Sequence, residues 1–236
     1  TSSTVAGSDR SVTYDTVAPT LTLAQAAGQA DPTNVASIAF TLAANEVLDA
    51  ATVAADDFTV VDGVVSAIAC TGTSCTITVT AATDGVVSIS LAPSGAFSVS
   101  DVAGNAQTAA LGSDRQVTYD TTAPTFTLEQ GAAQAAPAKS SPIVFTLTGS
   151  EALAGGSVSS ADFDVVNGTV SAISCSGSAC TVSVTPAGQG LVSIAAATGF
   201  SVTDVAGNAG SSVGSTDAAV TYDSVAPTLT LRQAMS

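Results

Sequence analysis

The chain has 236 residues, of which 19 are acidic and four are basic, so its formal net charge is −15, and it contains neither histidine nor tryptophan. Because proteins that bind nucleic acids need a basic surface to neutralise phosphates, this charge excludes a nucleic-acid-binding role. No stretch approaches the roughly 20 apolar residues of a membrane-spanning helix, so we expect no membrane insertion.

Apolar and polar residues alternate along the first half of the chain, which is typical of half-buried strands rather than helices. The predicted strands are, in chain order, 20–24, 35–43, 57–61, 64–70, 75–81, 86–91 and 114–119. Seven short strands in about 105 residues predict an antiparallel immunoglobulin-like sandwich. Its core is expected to be aliphatic, with Phe40, Phe58 and Phe97 as anchors.

The pattern recurs because the chain contains three near-copies of one string, SVTYDTVAPTLTL, QVTYDTTAPTFTL and AVTYDSVAPTLTL. They begin at Ser11, Gln116 and Ala219, and are therefore 105 and 103 residues apart. A fixed period of this kind is the mark of a repeat protein. We predict an all-β chain with two tandem immunoglobulin-like domains of about seven strands each. The predicted bounds are 16–120 and 121–223, with the end of a preceding repeat at 1–15 and the start of a following one at 224–236.

Three motifs recur in the same order within each repeat: an opening YDTTAPT, a central ADDFTVVDG or ADFDVVNGTVS, and a closing DVAGN. This ordered set resembles the bacterial Ig-like repeats that form the stalks of large cell-surface adhesins, including biofilm-associated and RTX-type ones. The resemblance covers almost the whole chain. It implies an extracellular fibre with calcium at its joints, whose partners are the neighbouring repeats of the same chain. Other copies of the array, or a host or surface ligand bound through further domains, are additional expected partners.

Cysteines are not expected in such repeats, yet this chain has four of them in two local pairs. Cys70 and Cys75, like Cys175 and Cys180, are separated by four turn-forming residues between two predicted strands. We predict that each pair closes a hairpin as a disulfide, because a zinc site would need four Cys or His ligands. Stable disulfides form in oxidising compartments, so the pairs indicate an extracellular or cell-surface protein.

Acidic residues recur at three places: after the second strand, in the DVAGN motif, and in the YD pair that ends the preceding repeat. Since consecutive antiparallel strands run in opposite directions, all three places should lie at the same end of the sandwich. The aspartate before the third strand and the asparagine of DVAGN are expected to offer further oxygens. The predicted ligands are Asp15, Glu46, Asp57, Asp101 and Asn105 around the first domain, and Asp120, Glu151, Asp162, Asp204 and Asn208 around the second.

Calcium (Ca²⁺) is the expected cation, because it accepts six to eight oxygen ligands in flexible geometry and the chain has no histidine for other metals. An ion at the joint would remove hinge freedom between domains and stiffen the array. The alternative is that these acidic side chains cap turns and keep an apolar chain soluble.

No catalytic arrangement is recognisable, since histidine is absent and Lys139 has no counterpart in the first repeat. Asn167 begins a glycosylation sequon, but the corresponding Asp62-Gly63 predicts a tight hairpin turn there. We therefore expect no enzymatic activity and predict a structural extender segment of an adhesin. The alternative functions are binding of a glycan or host protein by the domains themselves, and homophilic adhesion between parallel arrays.

Overall fold

The computed structural model describes residues 12–93, 97–107 and 115–233. The chain divides into two compact units, with the division between Asp120 and Thr121. Helices in the described residues are limited to short 3-10 turns at Ala50–Thr52, Ala55–Asp57 and Ser160–Asp162. The predicted all-β fold class is therefore confirmed, whereas the outer limits predicted for the two domains stay predictions.

The described part of the first unit contains seven strands, each within two residues of a predicted one; residue 114, the predicted start of the last strand, lies outside the described residues. They are β1 (Leu21–Gln25), β2 (Ser37–Ala44), β3 (Phe58–Val61), β4 (Gly63–Thr71), β5 (Ser74–Ala81), β6 (Gly85–Leu91) and β7 (Gln116–Tyr119). One sheet has the order β1-β2-β5-β4 and the other the order β3-β6-β7. All paired neighbours are antiparallel, and this order is that of an immunoglobulin-like sandwich.

The two sheets of the first unit enclose one core of mainly aliphatic side chains. Ile38, Phe40 and Leu42 on β2 are completely buried, because alternate residues of a strand lie on the same face. Val87 and Val117 of the second sheet are equally buried in the same core. The core therefore lies between the sheets, as expected of a sandwich.

Of the three predicted aromatic anchors, Phe40 and Phe58 are buried. Phe97 packs against the core but stays partly exposed, and Val99, two residues later, is buried in its place. This stretch is not a regular strand.

The second unit contains corresponding strands and some short additional ones. They are β8 (Phe126–Gln130), β9 (Ile143–Gly149), β10 (Phe163–Val166), β11 (Gly168–Ser176), β12 (Ala179–Pro186), β13 (Gly190–Ala196), β14 (Val202–Thr203), β15 (Ala209–Gly210), β16 (Val213–Asp217) and β17 (Ala219–Tyr222). The two large sheets have the orders β11-β12-β9-β8-β16 and β10-β13-β17, and β14 pairs with β15. β16 runs parallel to β8, a pairing that the alternation of apolar residues did not predict.

Two-residue turns join β4 to β5 and β11 to β12, and both predicted disulfides are present beside them. Cys70 is bonded to Cys75, and Cys175 to Cys180. Each turn begins with a glycine whose φ is positive, 60° in the first repeat and 59° in the second. Glycine at the first position of a two-residue hairpin loop favours the type II′ turn, which suits the twist of the flanking strands.

The hairpin turn predicted at Asp62-Gly63 is wrong in one respect. Asp62 and Asn167 both have a φ of 56°, as a tight turn requires, but the strands that flank each residue lie in different sheets. The turn therefore carries the chain across the sandwich instead of closing a hairpin. At Asn167 the side-chain amide also donates to the carbonyls of Gly188 and Leu191, at 3.1 and 3.3 Å.

The outer edge of β7 is covered by the segment that follows β1. The N–H of Thr33 donates to the carbonyl of Thr118 at 2.9 Å, and the N–H of Asp120 donates to the carbonyl of Thr33 at 3.0 Å. Between these two bonds, the N–H of Thr118 donates to the carboxylate of Asp31 at 2.9 Å. Ala138 pairs with β17 of the second unit in the same way.

Candidate metal site

Three acidic side chains of the first unit meet at one end of its sandwich. Asp15 precedes β1, Glu46 follows β2, and Asp101 lies between β6 and β7. Carboxylate oxygens of the three lie within 4.8 Å of one another. Asp101 is only 2% exposed, and the other two are half-buried. The structure thus brings together residues that are far apart in sequence.

Asp101 is held by the loop that carries the DVAGN motif. Its Oδ1 accepts the N–H groups of Ala103 and Asn105, both at 2.8 Å, and its Oδ2 accepts the side-chain amide of Asn105 at 2.8 Å. Burial raises the pKa of Asp101, but the hydrogen bonds from Asn105, Ala103 and Gly104 outweigh it and leave that pKa below its ordinary value. Asp101 is therefore a fixed, ionised carboxylate, and Oδ2 keeps a lone pair for a further ligand.

Glu46 has a different environment from Asp101. Its Oε1 is buried and has no hydrogen-bond partner among the residues that the structure describes. Burial raises the pKa of Glu46, and the charges of Asp15 and Asp101 raise it further. A buried anion without a partner is unfavourable, so this oxygen is a position where a cation would supply the missing interaction.

Asn105 acts on this group as a hydrogen-bond donor. Besides binding Asp101, its side-chain amide donates to the backbone carbonyl of Asp15 at 3.2 Å. The backbone oxygen of Asn105, which was a predicted ligand atom, accepts the N–H of Asp101 at 3.2 Å. The observed contacts of Asn105 therefore hold the acidic residues in place.

The second repeat has the same local arrangement. Oδ1 of Asp204 accepts the N–H groups of Gly207 and Asn208, at 2.6 and 2.9 Å, and its Oδ2 accepts the side-chain amide of Asn208 at 2.9 Å. Glu151 follows β9 as Glu46 follows β2. Within the second unit, Glu151 and Asp204 belong to the same acidic group.

Asp57 and Asp162, each predicted as a fourth carboxylate, lie outside both acidic groups. Oδ2 of Asp57 accepts the N–H of Ala54 at 2.8 Å, and Oδ1 accepts the N–H and hydroxyl of Ser98 at 2.7 and 3.2 Å. Oδ2 of Asp162 accepts the N–H and hydroxyl of Ser159 at 2.7 and 2.9 Å. These carboxylates cap the 3-10 turns that precede β3 and β10.

Asp57→Ala is accordingly expected to lower the free energy of unfolding of the first unit by about 2 kcal/mol, because it removes the acceptor of two backbone N–H groups. Calcium affinity should not change. Urea unfolding and calorimetric titration measure the two quantities. The exposed neighbour provides the control, since Asp56→Ala should stay within about 0.5 kcal/mol of the wild type. Loss of calcium binding with unchanged stability would instead make Asp57 a ligand.

Polar residues beside the glutamates were missed by the sequence analysis. Asn45 accepts the N–H of Thr20 on its side-chain oxygen at 2.7 Å, and Ser150 accepts the N–H of Thr125 on its hydroxyl at 3.0 Å. Each bond ties the chain before the first strand to the loop that carries the glutamate. The available signal was a polar residue directly before Glu in both repeats.

The donor set fits a hard divalent cation. Oxygens that share one calcium at about 2.3–2.6 Å lie no more than about 5 Å apart, and the carboxylate oxygens of Asp15, Glu46 and Asp101 meet that limit. The unpartnered Oε1 of Glu46 would gain a ligand bond. All four cysteines are disulfide-bonded, so thiolate-preferring metals have no ligands here.

Comparison with known proteins finds a family match over the second repeat. Residues 120–222 match the family model of the bacterial Ig-like domain, and no curated protein matches the chain significantly. Among solved structures, the chain is similar to the N-terminal part of the bacterial S-layer protein SbsC, with 14% identity and a TM-score of 0.31 over 88% of this chain and 44% of that one. It is also similar to the Yersinia pseudotuberculosis adhesin InvE, with 14% identity and a TM-score of 0.28 over 87% of this chain and 58% of that one.

The chain spans about half the length of those two structures. At TM-scores this low, the two similarities say nothing about function. Among the described residues, no helix is long and apolar enough to cross a bilayer.

Proposed function

We propose that the chain is a non-catalytic extender segment of a bacterial cell-surface adhesin, whose consecutive repeats are joined stiffly by calcium. The observation that carries the proposal is the meeting of Asp15, Glu46 and Asp101 around a buried Glu46 oxygen that has no hydrogen-bond partner in the described part of the chain. Three carboxylates this close repel one another until a cation neutralises them.

Calcium suits the site better than other common divalent metals. It binds six to eight oxygens at about 2.3–2.6 Å and tolerates irregular geometry, which ligands from three separate segments require. Magnesium demands a nearly ideal octahedron and keeps several waters. Asp15, Glu46 and Asp101 would supply the charged ligands, and water or backbone oxygens would complete the shell.

The stiffening follows from the sequence positions of the ligands. Asp15 and Asp120 each end a repeat, whereas the glutamate and the DVAGN aspartate belong to the repeat that comes next. An ion bound by all three would link consecutive repeats and remove motion that a short linker otherwise allows. A long array of such repeats would then act as a semi-rigid spacer.

Two further features support a surface location. Each unit contains a disulfide, and stable disulfides belong to oxidising compartments. The net charge of −15 keeps a chain with 46% hydrophobic residues soluble.

The absence of histidine from the whole sequence supports a mechanical role rather than acid–base catalysis.

Thermal unfolding in calcium and in excess chelator tests this proposal. At a free calcium concentration of 100 times the Kd, one site contributes about 2.7 kcal/mol. In a domain of about 100 residues this raises the Tm by roughly 10 °C or more. Small-angle scattering should show a greater maximum dimension in calcium, and magnesium at the same concentration is the control. Identical melting and scattering curves in calcium and chelator would reject the proposal.

A further inference from the structure

We infer that the disulfide of each repeat positions the glutamate of the proposed calcium site, so that calcium affinity depends on the oxidation state of the cysteines. The functional consequence rests on the calcium proposal. The structural part, that the disulfide-closed turn holds the glutamate loop, stands on hydrogen bonds within each unit.

In the first repeat, the backbone is anchored on both sides of Glu46. The N–H of Ala44, two residues before it, donates to the carbonyl of Thr73 at 2.8 Å. The N–H of Leu48, two residues after it, donates to the carbonyl of Gly72 at 3.2 Å. Both acceptors belong to the turn between β4 and β5, and the Cys70–Cys75 bond closes that turn.

The second repeat makes the same two bonds with different side chains. The N–H of Gly149 donates to the carbonyl of Ser178 at 2.7 Å, and the N–H of Leu153 donates to the carbonyl of Gly177 at 3.0 Å. Glu151 again lies two residues from each donor, and Cys175–Cys180 closes the turn. The connection is therefore a property of the backbone arrangement and not of one residue type.

The disulfide matters to this turn because β4 is the last strand of its sheet. Within that sheet β4 pairs with β5 alone, and the covalent bond joins the directly opposed Cys70 and Cys75. Without that bond the tip of the hairpin is free to fray, and the two carbonyls that anchor the Glu46 loop move with it.

The sulfur atoms are placed so that a reductant can reach them. Cys75 and Cys180 are completely buried, but Cys70 is partly exposed and Cys175 is exposed. Both residues of the turn in the first repeat are exposed as well.

A glutamate with a loosened backbone spends less time beside the two aspartates. Removing a group that orients a metal ligand typically weakens metal affinity 10–100-fold. The calcium site would therefore reach its full affinity only after the disulfide has formed.

The test is a residue-resolved NMR titration of the whole chain with calcium chloride, in the wild type and in a Cys70→Ala/Cys75→Ala variant. The amide signal of Asn105 reports the first site and that of Asn208 the second. We expect the Asn105 midpoint to move to about tenfold higher calcium, while the Asn208 midpoint stays, because its repeat keeps its disulfide. Cys175→Ala/Cys180→Ala should give the mirror result.

A disulfide with a merely structural role would lower the Tm of its unit and leave both calcium midpoints unchanged, and this outcome overturns the inference. Reduction of the wild type offers a second route that adds no cavity. Both midpoints should rise after reduction and return after reoxidation. Unchanged midpoints in the reduced chain would overturn the inference as well.

Hydrogen exchange in calcium-free buffer separates this inference from the calcium proposal. If the oxidised wild type binds no calcium, the calcium proposal fails. The positioning role then survives if the amides of Ala44 and Leu48 exchange faster in the Cys70→Ala/Cys75→Ala variant than in the wild type. The control is Ile89, whose N–H donates to the carbonyl of Arg115 at 3.0 Å and should stay equally protected in both. Equal exchange of Ala44 and Leu48 in the variant and the wild type would overturn it.

Discussion

Glu46→Gln is expected to weaken calcium binding in the first repeat by at least about a hundredfold, the upper range for groups around a metal. The same variant should raise the Tm of the first unit in chelator. Calcium affinity depends on the number of charged ligands, so the loss of one carboxylate weakens binding. Without calcium, the glutamine removes a charge that Asp15 and Asp101 repel, so the apo fold becomes more stable.

The pH dependence of this effect has a definite sign. Burial, followed by the charges of Asp15 and Asp101, raises the pKa of Glu46 above its ordinary value of 4.5. A carboxyl group of this kind stabilises the fold below its unfolded pKa, and the contribution is lost as the pH rises through the folded pKa. In chelator, the stability of the wild type relative to Glu46→Gln should therefore fall as the pH rises from about 4.5. In calcium at neutral pH, the wild type should be the more stable of the two.

Two variants control this experiment. Glu151→Gln should reproduce the effect in the second repeat, and Glu129→Gln makes the same chemical change at an exposed position of β8 that lies outside the acidic groups. Calorimetry measures affinity, and thermal unfolding in the two solutions measures stability. A Glu46→Gln chain with wild-type calcium affinity and a lower Tm in chelator would show that Glu46 is not a ligand.

Phe40→Ala should lower the free energy of unfolding of the first unit by about 4 kcal/mol. Phe40 is completely buried in the core and lies opposite Ile77 on β5, so the truncation leaves a cavity in the middle of the sandwich. Domains are typically stable by only about 5–15 kcal/mol. The loss is large for a core built mostly from Val, Ile and Leu side chains.

The second unit should keep its stability in the Phe40→Ala chain, because the described core residues of each unit form a separate cluster. Urea unfolding should then show two separated transitions, of which the earlier belongs to the first unit. Phe145→Ala should reverse the assignment, and Val61→Ala, at a position 53% exposed, should change stability by no more than about 0.5 kcal/mol. One cooperative transition that moves as a whole would contradict this prediction.

The seven strands of the first unit were predictable because alternation of apolar residues directly reflects the two faces of a strand. The meeting of Asp15, Glu46 and Asp101 was predictable from strand direction alone. The number of antiparallel strands that precede a connection decides at which end of the sandwich that connection lies. Neither prediction depends on the direction of a loop side chain or on the order of strands in a sheet.

Side-chain direction and sheet order were beyond that reasoning. Asp57 lies in the same connection as Glu46, but the 3-10 turn at Ala55–Asp57 directs its carboxylate to Ser98, 41 residues away. Asp62 has the chemistry of a hairpin turn, yet the strands beside it pair with β6 and β5 in different sheets. Long-range pairing decides both outcomes, and local residue type does not report it.

The covered edge of β7 has a consequence for how such a protein can grow. Domains of similar sequence on one chain keep matching strands at high local concentration, a condition that promotes misfolded dimers and fibres through free strand edges. In the first unit the outer edge of β7 is bonded to Thr33, and in the second unit the edge of β17 is bonded to Ala138. A proline precedes each of these two residues. Under the proposed extender role, added repeats of this kind would not add this route to aggregation.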